Sequence, residues 1–474
     1  TRAKELVTKT GFTGNNPYSA YPRKERIKFT IQVKDDVTGT YVPKTAYLDM
    51  IQVRRIENPK GVWRSAGNSD NFHVTLMRLP YDDAEDFKPF NSEGAWSATI
   101  VEGGDDFITL RSTVEGSGSD NAQQTGVKSI EGAGEHPIDF WIDFKGTIAE
   151  NSTPRCAIVR VRYHNYTCEH DIYVRQGYAP ITIDGNAESD KNPAWASYNV
   201  YRFDANNAPV YTKSPLEEGS LFRRGNRTAI LASNNDRPGF TFGLGPSGSF
   251  DVLELGATTP SQKTWSQLAP SADDVKSRFA SWSIAGDHER IATIEDFYTL
   301  ESTSIHSNIG KAYGVLYGDG ATETQKSVEV AFGYDHNEDP TNSKKGMRGC
   351  FVFNINNSHN IFFPIGKSGY GRRKGMTSNG EKVGALRYAQ RTDYYNKDGT
   401  GNIQYVPLFY DLFERPGAIY QCRNRLESTN NEVKKSSAFD INYFTMGFEG
   451  FENGASNNNN GSDSDACFIR TVKY

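Results

Sequence analysis

Two stretches of the chain carry side chains that could hold a ligand. Tyr334-Asp335-His336-Asn337-Glu338-Asp339-Pro340 gathers the carboxylates of Asp335, Glu338 and Asp339 and the amide of Asn337, shortly after Gly318-Asp319-Gly320. Hard cations take about six to eight oxygens, which such loops supply, so calcium is the metal this one would suit. A solvated acidic turn has the same composition, and both readings stand. In the second stretch, Tyr370-Gly371-Arg372-Arg373 and Asp393-Tyr394-Tyr395-Asn396 set rings beside polar groups. Sugars stack their C–H faces on such rings while charged and amide groups take the hydroxyls. That makes Tyr370, Arg372, Arg373, Tyr394 and Tyr395 candidate ligand contacts, and the Arg372-Arg373-Lys374 run would favour an acidic glycan. A structural turn or packing role is the competing reading, because 25 tyrosines produce such clusters by chance.

Catalytic constellations are harder to find. Gly243-Leu244-Gly245-Pro246-Ser247-Gly248 has dinucleotide-loop spacing, but strand-like Ser249-Phe250-Asp251-Val252-Leu253 follows where a phosphate-binding helix would have to start. The eight histidines form no His-x-His or His-Glu-x-x-His pair for zinc. Gly366-Lys367-Ser368-Gly369 misses the spacing of a hydrolase elbow. Cys156, Cys168, Cys350, Cys422 and Cys467 make no Cys-x-x-Cys pair. The expectation is therefore a protein without enzymatic activity and with no resident cofactor beyond calcium. Asn457–Asp465 reads as a polar loop rather than a site.

Composition narrows the class. The 474 residues carry 53 Lys and Arg against 58 Asp and Glu, a net charge of −5, which lacks the basic footprint of a nucleic-acid partner. No run approaches the ~18 to 20 apolar residues of a spanning helix. The chain holds 27 Phe, 25 Tyr, 6 Trp and 44 Gly, the balance of strands joined by turns. The opening Thr1-Arg2-Ala3-Lys4 reads as a mature or trimmed start, from which any leader or lipid-bearing Cys would have been removed.

The expected fold is mostly β. Over residues 1–180, with 1–25 irregular, short alternating runs at eight- to twelve-residue spacing predict an immunoglobulin-like β-sandwich. Its clearest hairpin sets Ala157, Val159, Val161 and Tyr163 on one face, turns at His164-Asn165-Tyr166 and returns through Ile172 and Val174. Pairing about that turn would set residue 162 opposite 168 and leave Cys156 and Cys168 out of register, so both are expected as free thiols. Trp96 and Trp141 are expected in the sandwich core. A turn-rich linker is placed at 181–194, and residues 195–474 read as an α+β domain. Helix starts fall at Ser271-Ala272-Asp273-Asp274 and at Thr293-Ile294-Glu295-Asp296, where a hydroxyl and a carboxylate can cap.

Two resemblances add a setting. Gly94-Ala95-Trp96-Ser97-Ala98-Thr99-Ile100, Arg155–Val161 and the closing Ile172-Tyr173-Val174-Arg175-Gln176 resemble BACON-type immunoglobulin-like domains of Bacteroidetes surface proteins, over roughly residues 40–180. Trp195-Ala196-Ser197-Tyr198-Asn199-Val200 with Ser214–Asn226, Arg290–Phe297, Gly349–Tyr370 and Ala466–Val472 are similar, in order, to the Fibrobacter-succinogenes-major-paralogous (FISUMP) domain. Arg224 stands where that family has Trp, and residues 305–345 read as an insertion. The second resemblance implies a C-type-lectin-like fold related distantly to formylglycine-generating enzymes. Together they imply a cell-surface adhesin or fimbrial tip protein, outside the cell, that binds a glycan or host protein. A pilin subunit would pair with an open edge at Lys24–Val33. A glycan-binding lipoprotein outside any pilus, and a thiol-dependent oxidase, are the rival readings.

Overall fold

In the computed structural model, side-chain alternation along Asp139–Phe144 sets up a sandwich: Phe140, Ile142 and Phe144 are buried, whereas Asp139, Trp141 and Asp143 are only half buried. The structure describes residues 23–52, 57–78, 88–89, 91–104, 106–113, 124–134, 137–183, 192–223, 226–231, 249–268, 288–300, 308–321, 330–331, 346–364, 394–395, 403–404, 417–426, 435–442, 446–450 and 466–474. Among these the protein is nearly all β, with short helices at Trp265–Leu268 and Ile294–Tyr298.

The strands that frame the argument are β1 (Arg23–Lys34), β2 (Tyr41–Gln52), β3 (Gly61–Arg64), β4 (Phe72–Thr75), β5 (Trp96–Gly103), β6 (Ile108–Ser112), β7 (Thr125–Val127), β8 (Ser129–Gly132), β9 (Asp139–Phe144), β10 (Arg155–Tyr163), β11 (Cys168–Gln176), β12 (Ile309–Tyr317), β13 (Gly346–Asn354) and β14 (Asn360–Pro364). One four-stranded sheet runs β7-β6-β9-β4. A nine-stranded sheet runs β8-β5-β10-β11-β3-β12-β13, then Val330–Ala331, with β14 also on β13. Their facing side chains close one core: Phe72, Leu110, Phe140 and Ile142 from the small sheet meet Trp96, Ala98, Val159, Val161 and Val174 from the large one. Burying such residues is worth roughly 1.5–3 kcal/mol each, and it fixes strand register because a one-residue slip would turn the whole row to water.

The β10–β11 hairpin shows the fit between pattern and structure. Ala157, Val159, Val161 and Tyr163 point into the core as the alternation requires. The turn residues His164, Asn165 and Tyr166 all take left-handed φ values of 52°, 54° and 64°. Register is shifted by one from the sequence reading: Tyr163 lies opposite Cys168 and Cys156 opposite Arg175. The thiols still sit far apart along the hairpin, and both are free. Trp96 is fully buried as expected. Trp141 is not in the core. It lies on the outer face of the small sheet, stacked on His73 at 4.3 Å with the Arg111 guanidinium 4.7 Å over its ring. An odd-numbered position between two outward aspartates settles its side, whatever its residue type.

The large sheet does not end where the linker was expected. β3 pairs parallel with β11 on one side and with β12 on the other, so Gly61 lies opposite Tyr173 and Leu316. Ile181 and Ile183 are buried, and Ile181 exchanges backbone hydrogen bonds with Trp195. On the back face of the sheet, Trp63, Ile158 and Tyr173 cluster with Leu316, Phe351 and Phe362 of its other strands and with Leu216 from outside it. Turn-type composition at 181–194 is a local signal, whereas this pairing joins residues some 250 positions apart.

Of the expected helix starts, the one at Ser271 lies outside the described residues. The one at Thr293 is present with both halves of its capping box: the Thr293 hydroxyl accepts from the Asp296 amide, and the Asp296 carboxylate accepts from the Thr293 amide. Arg290 pairs with the same carboxylate.

On β11, buried His170 places Nε2 2.6 Å from the Pro59 carbonyl, so Nε2 carries the donated proton. Burial, and after it the charge of Lys60, holds the His170 pKa well below the ordinary value; the Pro59 bond opposes them. His359 is lowered too, chiefly by burial. With the folded pKa below the unfolded one, the unfolded chain binds more protons once pH drops below about 6.5, so stability is lost on acidification. Each such histidine contributes a slope of up to about 1.4 kcal/mol per pH unit. Urea unfolding of His170→Gln between about pH 7 and pH 5 should show a shallower pH slope than wild type; an unchanged slope would assign the acid sensitivity elsewhere.

Candidate functional site

Three buried arginines organise the region where the large sheet meets the C-terminal strand. On β11, alternation turns Val174 into the sandwich and Arg175 to the opposite side, where no described carboxylate meets it. Its fork donates instead to neutral oxygens: Nε to Gly177 O at 2.9 Å, Nη1 to Asn360 O at 2.8 Å, and Nη2 to Ala179 O at 2.7 Å and Ser197 Oγ at 2.6 Å. Its plane lies 4.7 Å over Trp63. Arg470 repeats the device, donating to Asn199 Oδ1, Ala196 O and Phe362 O at 2.7, 2.8 and 3.0 Å. Arg64 holds the carbonyls of Gly318 and Ala321. Burial pushes the pKa of all three downward. An arginine stays protonated even so, which is why this residue type can serve as an internal clamp.

The clamped segments form the walls of a cleft. Gly177-Tyr178-Ala179-Pro180 leaves β11 through Gly177, whose φ of +96° suits glycine and whose amide donates to Arg64 O. Ala196-Ser197-Tyr198 follows the short strand Ala194–Trp195, which pairs with Thr471–Lys473; that strand pairs in turn with Glu289–Ile291. Between them lies a cleft of about 200 Å³ lined by Tyr178, Tyr198, Tyr211, Glu150, Glu289 and Lys473 among others. Sites for drug-sized ligands are typically ~300–1,000 Å³, so this one is sized for a single ring or side chain.

Its chemistry is aromatic and hydroxylic. Tyr178 and Tyr198 stand edge to face, centroids 5.5 Å apart at 82°. Burial raises both phenol pKa values, with the negative charges of Asp319 and Glu150 adding to the effect and Arg175 opposing it, so both rings stay neutral. Tyr211 Oη lies 2.5 Å from Thr471 Oγ1, and Thr471 Oγ1 donates to Glu289 Oε1 at 2.9 Å. A threonine hydroxyl has one proton, which Glu289 receives; Tyr211 must therefore be the donor in its own bond. The result is an oriented relay, Tyr211 to Thr471 to Glu289, along one wall. Two ring faces, a carboxylate and an ammonium can stack on and hydrogen-bond a small polar ligand.

Asp335, Asn337, Glu338 and Asp339 fall outside the described residues, as do Tyr370, Arg372 and Arg373. Tyr394–Tyr395 forms a two-residue strand paired with Ile403–Gln404. Among the described residues no group of three or more His, Cys, Asp or Glu is placed to hold a metal. Nor is any helix among them long and apolar enough to cross a membrane. Sequence reasoning missed Tyr178, Tyr198 and Tyr211 because no two of them are adjacent. The available signal was that Tyr178 and Tyr198 flank the turn-rich stretch at 181–194, where chain direction changes. No family model matches the chain, and no curated protein matches it.

Proposed function

We propose that the protein is a non-enzymatic recognition protein of a bacterial surface whose tyrosine cleft holds one sugar residue of a glycan. The observation that carries this reading is the pair of perpendicular rings, Tyr178 and Tyr198, set between Glu150, Glu289 and Lys473 on walls clamped by Arg175 and Arg470. A rigid aromatic corner with polar groups at its rim suits a ring that is apolar on its faces and hydroxylated at its edge. The BACON-like and FISUMP-like motifs support a surface or fimbrial-tip setting. The thiols that the structure describes in the interior weigh against the oxidase reading: Cys156 and Cys350 are buried, and burial raises the Cys156 pKa, the reverse of an activated thiol.

The test is a glycan array followed by calorimetry on the best binder. Tyr198→Ala should weaken binding about tenfold or more, a loss of about 1.4 kcal/mol, by removing one stacking face. An array blank with and without calcium, or a Tyr198→Ala variant that binds as wild type does, would remove this reading.

A further inference from the structure

The longest antiparallel ladder at the start of the described chain is also the one with least around it. β1 and β2 pair over twelve rungs, Arg23 opposite Gln52 through Lys34 opposite Tyr41, and form a two-stranded sheet of their own. Neither packs extensively against another described element. The Asp35 carboxylate closes the turn by accepting from the amides of Val37 and Thr38 and from the Thr38 hydroxyl. One face of β1 is an apolar row left in water: Ile27 is 40 % exposed, Phe29 48 %, Ile31 62 % and Val33 39 %. An isolated two-stranded hairpin is marginal in water, and an open apolar strand is a template for pairing.

The two edges are unequal. β2 contains Pro43, which has no N–H to donate to a further strand. β1 has neither proline nor glycine in its twelve residues. Its charges are also polarised. Arg23-Lys24-Glu25-Arg26 carries three bases and one acid, whereas Lys34-Asp35-Asp36 carries one base and two acids. An antiparallel copy of β1 therefore brings a segment of net +2 against one of net −1 at each end; a parallel copy would oppose every charge with itself. Rung by rung the antiparallel ends are mixed, Lys24 with Asp36 favourable but Glu25 with Asp35 and Arg26 with Lys34 not, which still leaves fewer like-charge rungs than the parallel copy has. In the middle, a two-fold axis at Thr30 places Phe29 opposite Ile31 of the second copy and Ile27 opposite Val33, on the same face. That is the self-complementary pattern an isologous contact needs.

We infer that β1 is a self-association edge: two copies of this chain pair their β1 strands antiparallel about Thr30, giving a four-stranded sheet β2-β1-β1-β2 with one continuous apolar row.

Sedimentation velocity of the full chain over a wide concentration range reads the association, and cysteine cross-linking reads its register. Directly opposed residues across an antiparallel pair have Cα atoms about 4.5–5.5 Å apart, within disulfide reach. Thr30→Cys should therefore give a covalent dimer on mild oxidation. Thr45→Cys, on the far strand of each hairpin and some 14 Å from its mate, should not. Phe29→Lys should weaken association at least tenfold while the circular dichroism and melting of the rest of the chain stay as in wild type. A wild type that is monomeric throughout overturns the inference, as does equal cross-linking of Thr30→Cys and Thr45→Cys. A monomer that binds anionic vesicles through this face, with binding lost in Phe29→Lys, overturns it too and assigns the row to lipid.

Discussion

Arg175→Ala should destabilise the protein by about 4 kcal/mol, among the largest effects expected of any single substitution in the chain. The argument starts from what the guanidinium satisfies. It is fully buried, and its donors meet three carbonyls and one hydroxyl, on residues 177, 179, 197 and 360. Truncation leaves these acceptors facing a cavity, and each orphaned buried acceptor costs about 1–3 kcal/mol unless water reaches it. The face of Trp63, now 4.7 Å from the cation, loses that contact as well. Against this stands the relief of no longer desolvating a charge, which burial already reflects in a lowered pKa. The clamp outweighs the relief because the carbonyls stay buried when the charge is gone. Arg175→Lys keeps the charge but has no planar fork, so it should recover less than half of the loss. Urea midpoints at unchanged m-value measure both variants. A cost under about 1 kcal/mol for Arg175→Ala would mean that water replaces the guanidinium, and the walls of the cleft would then owe nothing to it.

The same residue shows where sequence reading stops. Alternation in Arg155–Tyr163 and Cys168–Gln176 announces a hairpin and assigns Ala157, Val159 and Val161 to the core, because side-chain period and strand pleat are local facts. The Thr293 capping box is legible for the same reason: its hydroxyl and carboxylate are three residues apart. At Trp141 position outweighs residue type: the aspartates two residues to either side already give its outward face. Arg175 sits in plain view on β11, yet its acceptors come from two loops and from a strand some 185 residues away. The parallel register of β3 with β12 is equally non-local, since it depends on which sheet edges are free once every other strand has paired. The cleft is hidden twice over. Its tyrosines are single residues in separate segments, whereas the dense motifs of the sequence stand at 335–339 and 370–373.

Trp63→Ala is expected to cost about 4 kcal/mol, and the form of the unfolding curve matters as much as its midpoint. Trp63 lies on β3, the strand that bridges β11 from the first half of the chain and β12 from the second. The indole is fully buried; Nε1 donates to Asn360 Oδ1 at 3.0 Å, and the ring meets Phe362 edge-on at 6.3 Å. Its removal takes packing from both halves at once. If β3 joins them into one cooperative unit, near- and far-ultraviolet dichroism should report a single transition at a lower urea concentration. Two separated transitions with only one displaced would mean that the halves unfold independently and the shared sheet is a weak seam. Arg175 stacks on this ring, so the two substitutions should not add. Trp63→Ala opens the space above the guanidinium and admits water to the acceptors that Arg175→Ala would orphan. The double variant should therefore lose about 0.5–3 kcal/mol less than the sum of the single losses, the range found for residues in direct contact. Strict additivity would separate the clamp from the bridging strand, and the cleft's rigidity would then have to come from Arg470 and the C-terminal strand alone.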